Sequence, residues 1–344
     1  MRNCFLILII FALFSCKSNN NAHTERYIMP VFKQKLSVTP KYINKDKPLR
    51  DIYSMHIHKD YLLLRSFADN NLIQLFNKNN GDYIAGIAPR GRGPGEYTMT
   101  VNIFFLGDTL CLFDRRNLEV NFYDSNFISN NIPYNQITLE GASGFFHIVP
   151  YKQGFITVPT KDTRFIIHDK TGTPIGKYTH YPSFEAINDS SIVREALFTG
   201  SDAIDIKPDH TKLVSATFAG AIIEIFSLNG NTISLNKEIR LLPPTFLKLK
   251  NNRYRASNES YVGFWNIQST QEYIYLIFSG KTINDFKKSP LGDYIYVYDW
   301  DGNPIKSYKI NGGVNRFAVD EAQQRIYFVT FGQDGNEIIG YFSL

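Results

Sequence analysis

The amino-acid sequence predicts an all-β fold made of about six copies of one four-stranded antiparallel unit, and three observations lead there. The 344 residues are 43% hydrophobic and 15% aromatic, with 21 Tyr and 27 Phe, a composition that suits pleated, half-buried strands. One hairpin pattern recurs along the chain. A second pattern, a pair of strand-like runs around a small polar turn, precedes each copy of the first.

The elements follow in chain order. MRNCFLILIIFALFSCKSNN opens with Arg2, an apolar run from Phe5 to Phe14, and Ser15 before Cys16. Ten or so apolar residues suit a signal-peptide core, whereas a membrane-crossing helix needs about 20. The small residue before Cys16 resembles a bacterial lipobox, which implies removal of residues 1–15, lipidation of Cys16 and a tether over 16–30. Cys4 leaves with the signal and Cys16 takes the lipid, so Cys111, inside the apolar run TLCLFD, is expected as a buried, inert thiol. No second apolar stretch approaches 18 residues, so the body, residues 31–344, is expected to be one domain anchored by lipid.

The hairpins are LIQLFNKNNGDYIAGI (72–87), LEVNFYDSNFISNNI (118–132), RFIIHDKTGTPIGKYT (164–179), AIIEIFSLNGNTISLNKEI (221–239) and DYIYVYDWDGNPIKSYKI (293–310). In each, a strand-like run ends at Asn, Asp or Ser, residues that favour tight turns. Upstream pairs lie at 55–67, 102–114, 145–159, 202–218, 261–280 and 314–331. Repeated four-stranded units of about 40 to 50 residues indicate a β-propeller. The last unit supplies three strands, and KQKLSVTP (33–40) stands alone before the first. Joining the two closes a six-bladed ring and removes a sheet edge. Seven blades stay open, because 181–200 and 241–260 are long enough to hide strands. The first of these carries a short helical pattern near Asp189. The second carries Lys248, Lys250, Arg253 and Arg255, a solvated face or an anion-binding rim.

Net charge is +5, spread along the chain; this is not the basic stripe of a nucleic-acid binder. The densest motif is APRGRGPGEY (88–97), between the first hairpin and the second unit. It lacks the Gly-Lys-Ser/Thr of a phosphate-binding loop and the GxGxxG of a dinucleotide site. Two readings remain. A tight crossover between blades favours Gly and Pro, with Tyr97 packing below and Glu96 pairing with Arg90 or Arg92. Alternatively Arg90, Arg92, Glu96 and Tyr97 form a ligand site at the channel mouth, since guanidinium forks hold carboxylates and phosphates well.

GRGPGEY after a first-blade hairpin, together with the lipobox, resembles the TolB-like six-bladed propeller family of Bacteroidetes lipoproteins. That resemblance covers about 30–344 and implies the propeller fold and an envelope location, with no established reaction. The wider group of NHL-type propellers is similar and consists mainly of interaction scaffolds, with some lyases and lactonases.

Catalytic motifs are sparse. His56 and His58 share one face of a strand and are weak candidates for a metal; the other histidines are scattered, and DWDGN (299–303) serves as a hairpin turn. No catalytic residue and no cofactor is assigned. The expectation is an envelope scaffold binding a protein, peptide or glycan, without nucleic acid, on the outer membrane facing the periplasm or, alternatively, on the cell surface. A propeller lyase or hydrolase working at the central channel is the competing reading.

Overall fold

The computed structural model describes residues 26–344 apart from 44–46, 94, 99–100, 162, 185–192, 194–196, 198–202 and 251–252. The signal and Cys16 lie outside the described residues. Two N-terminal strands, β1 (Gln34–Val38) and β2 (Lys41–Tyr42), precede the repeats. Blade one is β3 (Ile52–His58), β4 (Tyr61–Ser66), β5 (Asn71–Asn77) and β6 (Tyr83–Pro89). Blade two is β7 (Val101–Leu106), β8 (Thr109–Asp114), β9 (Glu119–Tyr123) and β10 (Asn135–Thr138), and blade three is β11 (Phe145–Tyr151), β12 (Gly154–Pro159), β13 (Phe165–His168) and β14 (Pro174–Tyr178).

Blade four is β15 (Ala203–Ile206), β16 (Lys212–Ala216), β17 (Ala221–Asn229) and β18 (Thr232–Leu242). A short hairpin, β19 (Phe246–Lys248) and β20 (Tyr254–Ala256), follows. Blade five is β21 (Phe264–Ser269), β22 (Tyr273–Phe278), β23 (Gly292–Asp299) and β24 (Pro304–Val314), interrupted by one helical turn, α1 (Ile283–Lys288). Blade six is β25 (Arg316–Asp320), β26 (Arg325–Phe331) and β27 (Glu337–Ser343). Six sheets form the ring, so the segments 181–200 and 241–260 supply no seventh blade among the described residues. The helix expected near Asp189 falls outside the described residues, although Val193 and Leu197 are helical and buried.

The turns explain the repeat. Asn77, Asp124, Asp169 and Asp299 each accept, on a side-chain oxygen, the backbone N–H two residues on, at 2.8 to 3.0 Å. A side chain that caps its own turn fixes where a strand ends without any distant partner. The middle strands are apolar on both faces: Leu62, Leu63 and Leu64 of β4 are successive and all fully buried. Successive side chains on a strand point to opposite faces, so such a sheet must be covered on both sides. The core therefore lies between blades. Val214, Ile223 and Ile225 of blade four pack with Phe264, Leu276 and Tyr296 of blade five, and Phe32 joins them.

Closure uses the N-terminal segment, in a different register from the one the sequence suggested. Gln34–Val38 runs parallel to Lys306–Ile310 as a fifth strand on blade five. Lys41 and Tyr42 pair with Tyr341 and Gly340 and complete blade six, and the Ile43 N–H donates to Ile339 O at 3.0 Å. Pro40, which has no N–H for a ladder, separates the two runs. The segment thus staples two blades.

At the seam between blades six and one, Lys78 Nζ meets Asp320 Oδ2 at 2.6 Å with both side chains buried. The Glu337 carboxylate accepts from Ile52 N–H and from the Asn315 amide, each at 2.9 Å. Removing one member of a buried pair leaves a charge without water or partner. Lys78→Met should therefore lower unfolding stability by about 3–5 kcal/mol in urea titration. The double variant Lys78→Met/Asp320→Leu should recover most of that loss.

Candidate functional site

Each blade contributes its first strand to the axis. Residues of β3, β7, β11, β15, β21 and β25 line one channel with a volume of about 730 Å³. Because the blades repeat one strand order, these six strands run along the axis in one direction, and their first residues share a mouth. Three arginines stand at that level. Arg65 pairs across the ladder with Ser54 of β3; Arg115 follows Asp114, which pairs with Val101; Arg316 begins β25.

Each guanidinium reaches sideways to the next blade. Arg316 Nε donates to Tyr53 O at 2.6 Å, Arg65 Nη1 to Val101 O at 2.7 Å, and Arg115 Nε to Phe145 O at 2.9 Å. Three successive seams are bridged in this way, six to one, one to two, and two to three. The ring faces of Tyr53 and Phe67 lie against Arg65, and that of Phe146 against Arg115, at 5.5 to 5.8 Å. Burial, and then the charges of Arg316 and Arg115, pull the Arg65 pKa down to about 10. Burial brings Arg316 to about 10 as well, with Glu337 acting against the shift.

Beside the arginines, His56 and His147 face the channel. Burial first, and Arg65 second, lower His56 to about 3 and His147 to about 4, so both imidazoles are neutral at physiological pH. Three buried polar atoms here have no hydrogen-bond partner: Arg65 Nε, Asn102 Oδ1 and His147 Nδ1.

The opposite side of the ring differs. Asp205 accepts from the Ser269 N–H at 2.6 Å, the Ser269 hydroxyl at 2.8 Å and the Ile206 N–H at 2.9 Å, and burial still raises it to about 6. Asn266 and Gln268 accept from the Phe317 and Val319 N–H groups of blade six, both at 2.9 Å. The channel thus carries its arginines on blades six, one and two, the Asp205 carboxylate on blade four and the neutral amides of Asn266 and Gln268 on blade five.

The loop at 88–97 lies on the rim beside this mouth. Its backbone closes on itself: the Gly91 N–H donates to Tyr97 O at 3.1 Å and the Tyr97 N–H to Pro89 O at 2.9 Å. Tyr97 is buried, its hydroxyl 2.5 Å from that of Tyr123, and burial raises its pKa. Glu96 folds over Gly91 and accepts from the Gly93 N–H at 2.8 Å, so its hydrogen bond is with backbone and not with Arg90 or Arg92. A Cβ on Gly91 would fall 1.8 Å from Glu96 Oε2, and Gly95 holds φ +73°, a conformation glycine adopts without strain. Arg90 donates to Phe67 O. Arg92 is exposed, and none of Arg90, Arg92, Glu96 and Tyr97 lines the channel.

The histidine candidates separate. His56 faces the channel, while the His58 ring stacks on Phe105 at 4.0 Å between centroids. Among the described residues no group of three or more His, Cys, Asp or Glu is placed to hold a metal ion. Cys111 is fully buried, and its surroundings push the thiol up to about 12.

The family described as TolB-like 6-blade propeller-like matches residues 32–322. The chain belongs to that family. No curated protein sequence matches it. Among solved structures, a protein of Bacteroides fragilis whose name describes it as exported is similar at a TM-score of 0.57 and 12% identity, over 90% of this chain and 99% of that one. The propeller domain of Cps50 (Swd1) from Myceliophteria thermophila gives 0.47 and 10%, over 87% and 99%. Raptor from Chaetomium thermophilum gives 0.48 and 11%, over 83% and 22%. At such identities the likeness is one of fold.

In this TolB-like chain the sequence singled out the rim loop and His56, and passed over Arg65, Arg115, Arg316 and His147. A signal was present for two of them. With the units superimposed strand by strand, LLLRS has an arginine one residue before the end of the second strand and CLFDR one just past it.

Two outcomes are expected of this TolB-like propeller. Gly91→Ala must displace the Glu96 carboxylate and should cost about 1 kcal/mol, the size of one hydrogen bond; in a Glu96→Ala background it should be nearly neutral, as read from a double-mutant cycle of melting curves. For pH, the unfolded histidines protonate near 6.5 while folded His56 and His147 stay neutral down to about 4 and below. The unfolded chain then binds more protons, so these two groups make stability fall as pH drops from 6.5 towards 4. Asp205, with a folded value near 6, acts in the opposite sense between about 4 and 6. His147→Gln should reduce the acid slope over that window by up to about 1.4 kcal/mol per pH unit, measured by denaturant titration across pH.

Proposed function

We propose that this protein is a cell-envelope lipoprotein whose propeller is a binding scaffold, with the axial channel as the site that receives a ligand: the end of a peptide or glycan, or a small polar molecule. One observation carries the reading. A cavity of about 730 Å³ is lined by polar and apolar side chains, most of them from the first strands of the blades, within the size range of small-molecule sites. Those side chains sit on strands fixed in closed sheets, so the site is preorganised and binding orders little.

The envelope location is supported by the signal and lipobox pattern ahead of Cys16 and by the fold shared with a Bacteroides fragilis protein named as exported. Among the described residues no helix is long and apolar enough to cross a membrane, in keeping with attachment through lipid on Cys16 to the outer membrane, facing the periplasm.

The test has two arms. Cys16→Ser should move the protein from the membrane to the soluble fraction; retention at the membrane would remove the lipid anchor from the proposal. In the second arm, the soluble mature domain is incubated with envelope extract and its bound molecules are identified by native mass spectrometry. Asn102→Trp, which fills the channel at a side chain whose oxygen has no partner, should abolish capture. Capture that survives in a folded Asn102→Trp protein would place binding on the outer loops instead.

A further inference from the structure

The three arginines of the mouth are positioned by the fold, and among the described residues none is paired with a carboxylate. Each uses part of its fork to hold the next blade: Arg65 through Nη1, Arg115 through Nε, Arg316 through Nε and Nη1, the last also bonding Asn315. A guanidinium has five N–H donors, so among the described residues Nη2 of Arg65, both terminal nitrogens of Arg115 and Nη2 of Arg316 keep donors without a protein partner. Among the described residues no ion pair joins any of the three to a carboxylate. Glu337 acts on Arg316 from beyond ion-pair distance, and its own oxygens are taken by the Ile52 N–H and the Asn315 amide.

We infer that this mouth is an oxyanion site: the Arg65, Arg115 and Arg316 forks bind the carboxylate or phosphate group of a small polar ligand whose remainder lies along the channel. The inference rests on the channel being the ligand site, as proposed above. Several independent features of the geometry point to it. The free donors come from three consecutive blades around one opening, as convergent recognition of several oxygens requires. Because carbonyls of neighbouring blades and aromatic faces hold the forks, little side-chain entropy is lost on binding.

The orphaned atoms Arg65 Nε, Asn102 Oδ1 and His147 Nδ1 belong to blades one, two and three, the first two of which also carry Arg65 and Arg115. Buried polar atoms are ordinarily satisfied; here a hydroxyl-bearing ligand supplies what the protein leaves out, donating to Asn102 Oδ1 and accepting from Arg65 Nε. Among the described residues the only carboxylate lining the channel is Asp205 of blade four, whose oxygens are taken by Ser269 and Ile206, away from the three arginines. With 730 Å³ available, the cavity exceeds what a bare ion fills.

The probes are glucose, glucuronate and glucose 6-phosphate, which share a ring and differ in the group at one carbon, together with citrate and inorganic phosphate. Binding to the mature domain is followed by calorimetry and by thermal shift, since a ligand of the folded state raises Tm. The expected result is that glucuronate, glucose 6-phosphate or both bind at least about tenfold tighter than glucose; which of the two leads tells carboxylate from phosphate. Arg115→Gln, which removes two unengaged terminal nitrogens and one backbone bond, should weaken that binding at least about tenfold. Arg115→Lys should weaken it less, and Arg92→Gln on the rim should leave it unchanged. If Arg115→Gln does not fold, as judged by circular dichroism, Arg115→Lys carries the test: it keeps the charge without the fork, and unaltered binding counts against the site. The inference is overturned if none of the four oxyanions raises Tm at millimolar concentration, or if folded Arg115→Gln binds them like the parent. An envelope ligand lost with Asn102→Trp but indifferent to Arg115→Gln would overturn the oxyanion site and leave the scaffold reading standing; capture indifferent to both would remove the channel itself as the site.

Discussion

Each blade of this chain carries apolar side chains on both faces of its middle strands, so none is stable without a neighbour on either side. A linear stack of such sheets would always end in two exposed apolar faces. A ring has none, and the rest of the structure follows from closing it. The N-terminal segment crosses from blade five to blade six, and the Lys78–Asp320 pair and the Glu337 carboxylate fasten blade six to blade one. Residues distant in sequence meet at that seam, and loop-closure entropy opposes them until the whole ring has formed.

Closure also creates the channel and decides its character. First strands that splay around an axis leave seams between their first residues, and the backbone N–H and carbonyl groups at those seams need partners. Two solutions coexist. On the side of blades five and six, the neutral amides of Asn266 and Gln268 engage backbone N–H groups. Along blades six to three, arginines reach across to carbonyls. A neutral donor could satisfy one carbonyl as well, so the carbonyls alone do not account for three cations gathered at one mouth.

The parts of this architecture legible in sequence are those encoded locally. Turns that cap themselves, such as those at Asp169 and Asp299, announce a strand end within four residues, which makes the repeat and the six blades readable. The crossover at 88–97 is nearly as local: Gly91 lies beneath the Glu96 carboxylate, and Tyr97 pairs with Arg90. Closure was harder, because 33–40 and 41–43 are equally strand-like and only the partners waiting on blades five and six assign them. The arginine mouth as an assembly was not legible, although Arg65 and Arg115 recur at similar places in their units. Arg65 and Arg316 are ordinary polar punctuation in their own strands and become neighbours only when the last blade meets the first.

That assembly carries a cost the fold does not recover internally. Burial first, and then the charges of Arg316 and Arg115, hold the Arg65 pKa near 10, and burial, with the Arg65 charge second, keeps His56 and His147 neutral. Like charges in a half-buried site destabilise the folded state, and the aromatic faces nearby offset only part of this. Natural folds break their own rules of charge balance and polar satisfaction mainly where something binds. Here the broken rules coincide on one arc of one opening: unpaired cations, neutral imidazoles and three unpartnered polar atoms. An anion with hydroxyl groups would neutralise the first and satisfy two of the last, so one class of ligand resolves most of the irregularities that the scaffold leaves open.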